Sequence, residues 1–297
     1  MAHTFNFSFG QKMELGEYIE FVRENVDPRD EASICESAWA LHALSLDGSL
    51  FENIIGNAIR EIAEAGVAQE GYNQYTDATF MLYITPDEPF FVRANVWRSA
   101  KAMSADLDLE TRLYAYETPH DHNFDFVTVG YFGDGYETEI YEYDHDSVEG
   151  YIGEYVDLRF LERTFLPEGK VMMFRRRKDV HIQMPPKETS ISLNLMISPT
   201  NPMTQQFGFD LNARTISEFI HGNQSKFVSL IDFAGEIGGQ NAIEPLLSLA
   251  TKSFQPRLRA SAIRSILMLD PTLTEMLVSR YGKDSHPLVR EALVTRK

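Results

Sequence analysis

One cysteine, Cys35, in 297 residues leaves no partner for an intramolecular disulfide, so the fold must be held by a core drawn from a 43% hydrophobic composition. Cys35 lies in the helix-like run from Ser33 to Trp39 and reads as a core residue, not a nucleophile. No stretch approaches the roughly 20 apolar residues of a membrane span, and no basic-apolar-small leader opens the chain. A cytoplasmic protein with no membrane partner is the expectation. Basic side chains are scarce, 27 Lys and Arg against 44 Asp and Glu. The resulting net charge of −17 would repel nucleic-acid phosphates, which argues against such a partner. The deficit is uneven, because residues 213–297 carry 11 basic against 8 acidic side chains. Ten carboxylates between Asp134 and Glu162 accompany a single Arg159, but without the Asp-x-Asp-x-Asp-Gly loop of a calcium site. They read as a solvated strand face.

What is present changes character along the chain. Phe5, Phe7 and Phe9 alternate, as in a strand that adds to a sheet edge. From Met13 the spacing becomes helical, with helices predicted from Met13 to Val26, from Asp30 through Leu44, and from Ser49 to Gly66. These define an N-terminal helical subdomain over residues 1–70. Strands are predicted at Thr79–Ile84 and Phe90–Trp97, separated by the Pro86–Pro89 turn, with Arg93, Asn95 and Trp97 on one face where they could line a ligand pocket. Past residue 212 the pattern is helical again. Pro256-Arg257-Leu258-Arg259 recurs as Pro287-Leu288-Val289-Arg290, an offset of 31 residues that also lays Glu244 on Glu275. Residues 213–297 therefore resemble HEAT-like helical repeats.

The chemistry concentrates between Glu117 and Asp125, Glu-Thr-Pro-His-Asp-His-Asn-Phe-Asp. On an extended strand His120 and His122 share a face and could grip one ion. Alternation from Phe124 to Phe132, the Gly133-Asp134-Gly135 interruption and a second run from Tyr136 to Tyr143 predict a β-hairpin with a two-residue turn. Leu166-Pro167-Glu168-Gly169 predicts a turn, Lys170–Phe174 a strand, and His181 follows Gly169 by twelve residues, ahead of a strand at Ser190–Ile197. The other histidines, His3, His42, His145, His221 and His286, read as ordinary hydrogen-bonded side chains.

Together these stretches resemble the two motifs of the cupin superfamily: a His-x-His strand with a hairpin after it, then a Pro-x-Gly turn, a strand and a third His. The resemblance spans about residues 111–200. Metal-binding cupins usually place a Glu four or five residues after the second His, where this chain has Phe126 and Val127. Asp125 has the wrong strand parity to replace it, and Arg175-Arg176-Arg177-Lys178 stands where a second Pro-x-Gly is usual. The chain is thus most similar to the three-His, cysteine dioxygenase-like branch. That implies an α+β protein whose residues 71–212 form a cupin-type antiparallel β-barrel, with His120, His122 and His181 meeting on one metal.

The resemblance also implies oxygen chemistry. Three neutral imidazoles leave iron(II) its full charge and three open positions, enough for a chelating anion and dioxygen side by side. Zinc, nickel or manganese on the same ligands would support isomerase or lyase chemistry instead. The expected substrate is a small amino-acid-like or other anionic chelating metabolite. Arg175, Arg177 or Arg163 would hold its carboxylate, and Tyr131 or Tyr116 would orient substrate or oxygen. A different class of reading is a non-catalytic binding protein, whose C-terminal helices offer a surface to a second copy or a protein partner.

Overall fold

The computed structural model describes residues 3–8, 10–65, 79–99, 101–102, 111, 113–220 and 222–294. Phe9, Gly66 and His221, singled out in the sequence, lie outside the described residues. Two compact units divide the chain: Met1–His145, Val156–Thr200 and Gly208–Arg214 form one, and Asp146–Tyr155, Asn201–Phe207 and Thr215–Lys297 the other. The architecture is mixed α and β, with antiparallel sheets.

Four helices open the first unit, α1 (Leu15–Asn25), α2 (Glu31–Glu36), α3 (Ala38–Ser45) and α4 (Leu50–Ala65). Asp30 caps α2 by accepting from the Ala32 N–H at 3.0 Å. The single helix predicted from Asp30 through Leu44 is two, broken at Ser37. There the hydroxyl donates back to the Ile34 carbonyl at 2.7 Å, giving the backbone a local partner outside the helical ladder.

Besides a two-stranded ribbon, Phe207–Asp210 with Thr215–Phe219, the strands are β1 (His3–Asn6), β2 (Thr79–Tyr83), β3 (Phe90–Trp97), β4 (Phe126–Phe132), β5 (Glu137–Glu142), β6 (Arg159–Phe165), β7 (Lys170–Phe174), β8 (Asp179–Gln183) and β9 (Ser190–Ile197). Six of them form one sheet in the order β1-β7-β4-β9-β3-β2, and three form another, β6-β5-β8. The predicted N-terminal strand does add to an edge, with Phe5 opposite Val171. Alternation splits the larger sheet into two covered faces. Val127, Val129, Val171, Met173, Leu193 and Leu195 pack with Tyr18, Val22, Ile34, Leu41 and Leu44 of the helices. On the opposite face Trp97, Phe126, Met172, Phe174 and Met196 share a core with Tyr136 and Ile140. Because both faces are buried, these strands read as nearly continuous apolar runs.

The hairpin expected at Gly133-Asp134-Gly135 is not one. β4 and β5 belong to different sheets, and the glycines carry the chain between them. Gly133 and Gly135 have φ of 82° and 75°, and a Cβ on Gly135 would stand 1.8 Å from the Leu166 carbonyl oxygen. The positive-φ residues that favour a tight hairpin thus serve a sheet-to-sheet crossing.

In the second unit α5 (Asn223–Ile237) precedes α6 (Ile243–Lys252), α7 (Pro256–Leu269), α8 (Thr274–Tyr281) and α9 (Pro287–Glu291). The offset of 31 residues recurs at the element starts, Ile243 to Thr274 and Pro256 to Pro287, and at the short 3-10 turns Gln240–Ala242 and Pro271–Leu273. Proline sits in the first turn of α7 and of α9, where its missing N–H costs nothing. Leu246, Ile263, Ile266, Leu277 and Val289 share one core. Among the described residues no helix is long and apolar enough to cross a membrane.

Candidate metal centre

His120 and His122 do not lie on a regular strand. Glu117 and Ala115 have positive φ, Pro119 has no N–H to give to a ladder, and β4 starts only at Phe126. His120 is nonetheless pinned to β8 by a reciprocal backbone pair, its N–H to the His181 carbonyl at 3.1 Å and the His181 N–H to its own carbonyl at 3.0 Å. A further bridge joins His120 to Gly208. The i, i+2 spacing works for a different reason from strand parity, because the irregular segment turns both rings inward.

The outcome is three imidazoles converging through Nε2. His122 Nε2 stands 3.0 Å from His181 Nε2, and His181 Nε2 stands 3.2 Å from His120 Nε2. A cation bound at about 2.0–2.1 Å by nitrogens in octahedral or tetrahedral array would hold them roughly 2.8–3.4 Å apart. The observed spacing falls in that interval, and the ligand atoms of all three lie within 4.8 Å of one another. The His120 Nδ1 lies 2.8 Å from the Thr118 carbonyl, which fixes the proton on Nδ1 and turns the Nε2 lone pair toward the other rings. The Gln183 amide nitrogen stands 2.9 Å from His181 Nδ1, and exchanging the near-equivalent amide nitrogen and oxygen puts an acceptor there. With its oxygen toward the ring, the amide would accept from Nδ1–H and leave the second lone pair facing inward as well. Converging lone pairs repel unless a proton or a cation lies among them, so the donor set fits a divalent metal.

Electrostatics agree with the geometry. Burial holds the His181 imidazole well below its ordinary value, with His120 and His122 pushing the same way. Burial also lowers His120, against the opposing hydrogen bond to Thr118. Neutral imidazole is the metal-binding form. Phe174 and Phe126 flank His181, with ring centroids 4.5 Å and 5.8 Å away, and Phe124 lies against His122 at 4.6 Å. Asp125 does not join: its carboxylate accepts from the Arg176 N–H at 2.8 Å and pairs with the Arg176 side chain at 3.3 Å. Asp121 accepts from the Tyr143 hydroxyl at 2.7 Å.

The histidines open into a cavity of about 200 Å³, whose other walls include Arg93, Asn95, Trp97, Tyr114, Tyr136, Gln183 and Asn194. The Arg93, Asn95 and Trp97 face predicted from β3 alternation is therefore on the cavity. Its polar floor is a cross-strand ladder, with Arg93 opposite Asn194 and Asn95 opposite Ser192, and Trp97 Nε1 donating to Ser192 at 2.9 Å. Gln183 and Asn194 were not picked out from the sequence. Both had a period-two signal: Gln183 lies two residues beyond His181, and Ser190, Ser192 and Asn194 alternate with Ile191, Leu193 and Leu195.

The other anticipated residues are placed elsewhere. Tyr131 shares parity with Val127 and Val129, so it faces the helices and donates to the Asp47 carbonyl at 2.8 Å. Arg175 is buried in ion pairs with Asp179 and Glu142 at 2.5 and 2.9 Å. Arg177 lies 3.3 Å from the His145 ring. Arg163 clamps Glu137 with two hydrogen bonds of 2.7 and 2.8 Å on the outer face of the smaller sheet. Tyr116 is buried and donates to the Arg98 carbonyl at 3.0 Å. None of the five lines the cavity. Arginines and tyrosines near a motif cannot be sorted without knowing which sheet face each one meets.

No protein-family model matches the chain, and no curated protein matches it.

Proposed function

We propose that this protein is a mononuclear metal enzyme of cupin type, an iron(II) oxygenase acting on a small anionic metabolite that chelates its ion. One observation carries the reading: three imidazole nitrogens at metal-ligand spacing, His120 and His181 buried and His122 half-buried, opening into a small cavity. Among the described residues lining that cavity are Arg93 and no carboxylate. Iron(II) held by three neutral ligands would supply redox chemistry toward dioxygen and attract an anionic substrate. The chain does the rest. His120, His122 and His181 hold the ion, and Thr118 and Gln183 fix the orientation of two of the rings. Arg93 takes the substrate carboxylate, in place of the arginines expected from the sequence, and the Asn95 and Asn194 amides address its remaining polar groups. The rings of Trp97, Tyr136 and Phe126 exclude water. At about 200 Å³ the cavity suits a metabolite of amino-acid size.

The test is anaerobic iron(II) titration followed by oxygen-uptake screening over small amino and keto acids, on the native protein and on His181→Ala. One equivalent of iron in the native chain, lost in the variant, together with substrate-dependent oxygen uptake, is expected. Tight zinc or nickel without oxygen uptake would replace the oxygenase with a non-redox isomerase or lyase. Protein that binds no metal, and a His120→Ala variant indistinguishable from it, would overturn the reading.

A further inference from the structure

Helix α5 is apolar on two sides. Val228 and Ile231 enter the core of its unit, as the buried stripe of an amphipathic helix should. Across the helix Phe227, Leu230, Phe233 and Ile237 are 48%, 64%, 57% and 85% exposed. Spaced at i, i+3, i+6 and i+10, they make a second stripe about 15 Å long. Four large apolar side chains in one exposed row are more than scattered surface hydrophobics and mark a contact surface.

The charges on this helix say what covers it. Lys226 lies at the amino end of the stripe and Glu236 near its carboxyl end. At 3.6 residues per turn Lys226, Ser229, Phe233 and Glu236 follow one edge of the row. Lys226 and Glu236 are exposed, and among the described residues neither is in an ion pair. A twofold axis crossing the helix near its middle sets two such helices antiparallel and keeps this edge against itself. Lys226 of each copy then meets Glu236 of the other, and the contact is made twice. Parallel pairing about a twofold would instead bring opposite edges together and leave Lys226 and Glu236 about 15 Å apart in height. An antiparallel copy of the same helix satisfies both the apolar row and its charges.

We infer that α5 is a self-association face, through which two copies of this chain pair antiparallel about Leu230 and Phe233 with reciprocal Lys226–Glu236 contacts. The inference is independent of the metal centre. Sedimentation velocity on the full chain over a concentration series tests it, with a species of twice 33.9 kDa expected to grow in with concentration. Leu230→Asp should give one-chain mass with an unchanged circular dichroism spectrum. Lys226→Glu and Glu236→Lys should each weaken pairing roughly three- to tenfold, the range two exposed ion pairs supply, and the double variant should recover it. These two positions are exposed, so their exchange tests the register without relying on a core change. A mass of one chain at every concentration would overturn the inference. So would a dimer indifferent to Leu230→Asp, or a double variant no better than the singles.

Discussion

Gln183 is not itself a candidate ligand, yet as the partner of the His181 ring it sets which nitrogen is free. Its amide lies 2.9 Å from Nδ1, so replacing it with leucine removes the partner that holds the ring's tautomer and angle. Gln183→Leu should weaken metal binding about 10- to 100-fold while leaving the fold intact, read by competition against a chelator of known affinity. The three histidines were legible in the sequence because few residue types bind metal, His120 and His122 stand two residues apart, and His181 follows the Gly169 turn by twelve residues. Arg93, Asn95 and Trp97 were legible through strand alternation. Tyr131 and Arg175 stand away from the cavity for one physical reason: a residue type capable of chemistry has been used by the fold. The Tyr131 hydroxyl ties a helix connection to β4, and the Arg175 guanidinium neutralises buried Asp179.

Among the elements, the link from β4 to β5 controls how the two sheets meet. Gly135 combines φ of 75° with a carbonyl oxygen where a side chain would begin. Gly135→Ala should therefore cost well over about 1 kcal/mol, seen as a lower urea midpoint with the slope unchanged. Strand positions could be read from alternation, and the N-terminal edge strand was read correctly. Sheet membership could not, since Gly-Asp-Gly has the same conformational preference whether the next strand pairs with the last or leaves it. The repeat offset in the C-terminal unit was visible because prolines mark the starts of α7 and α9. The break at Ser37 was hidden, because a serine inside an apolar run gives no helix-stop signal until its hydroxyl finds a carbonyl.

For the molecule as a whole, burying imidazoles makes stability depend on pH in the metal-free state. Burial sets His181 and His120 below the ordinary value of 6.5, so between that value and the depressed folded-state values the unfolded chain binds more protons. Stability is then fully present above about pH 6.5 and is lost as the pH falls toward the folded-state values. Urea midpoints of chelator-treated protein should fall across that window, and His181→Phe, which cannot take up a proton, should flatten the slope. The reciprocal peptide hydrogen bonds between residues 120 and 181 carry this further. They seam an irregular segment to a strand, and a divalent ion on the adjoining rings would act as a clasp across that seam. Stripping it would loosen the backbone joint itself, and new protease cleavage between residues 115 and 125 would be the first sign of an undone clasp.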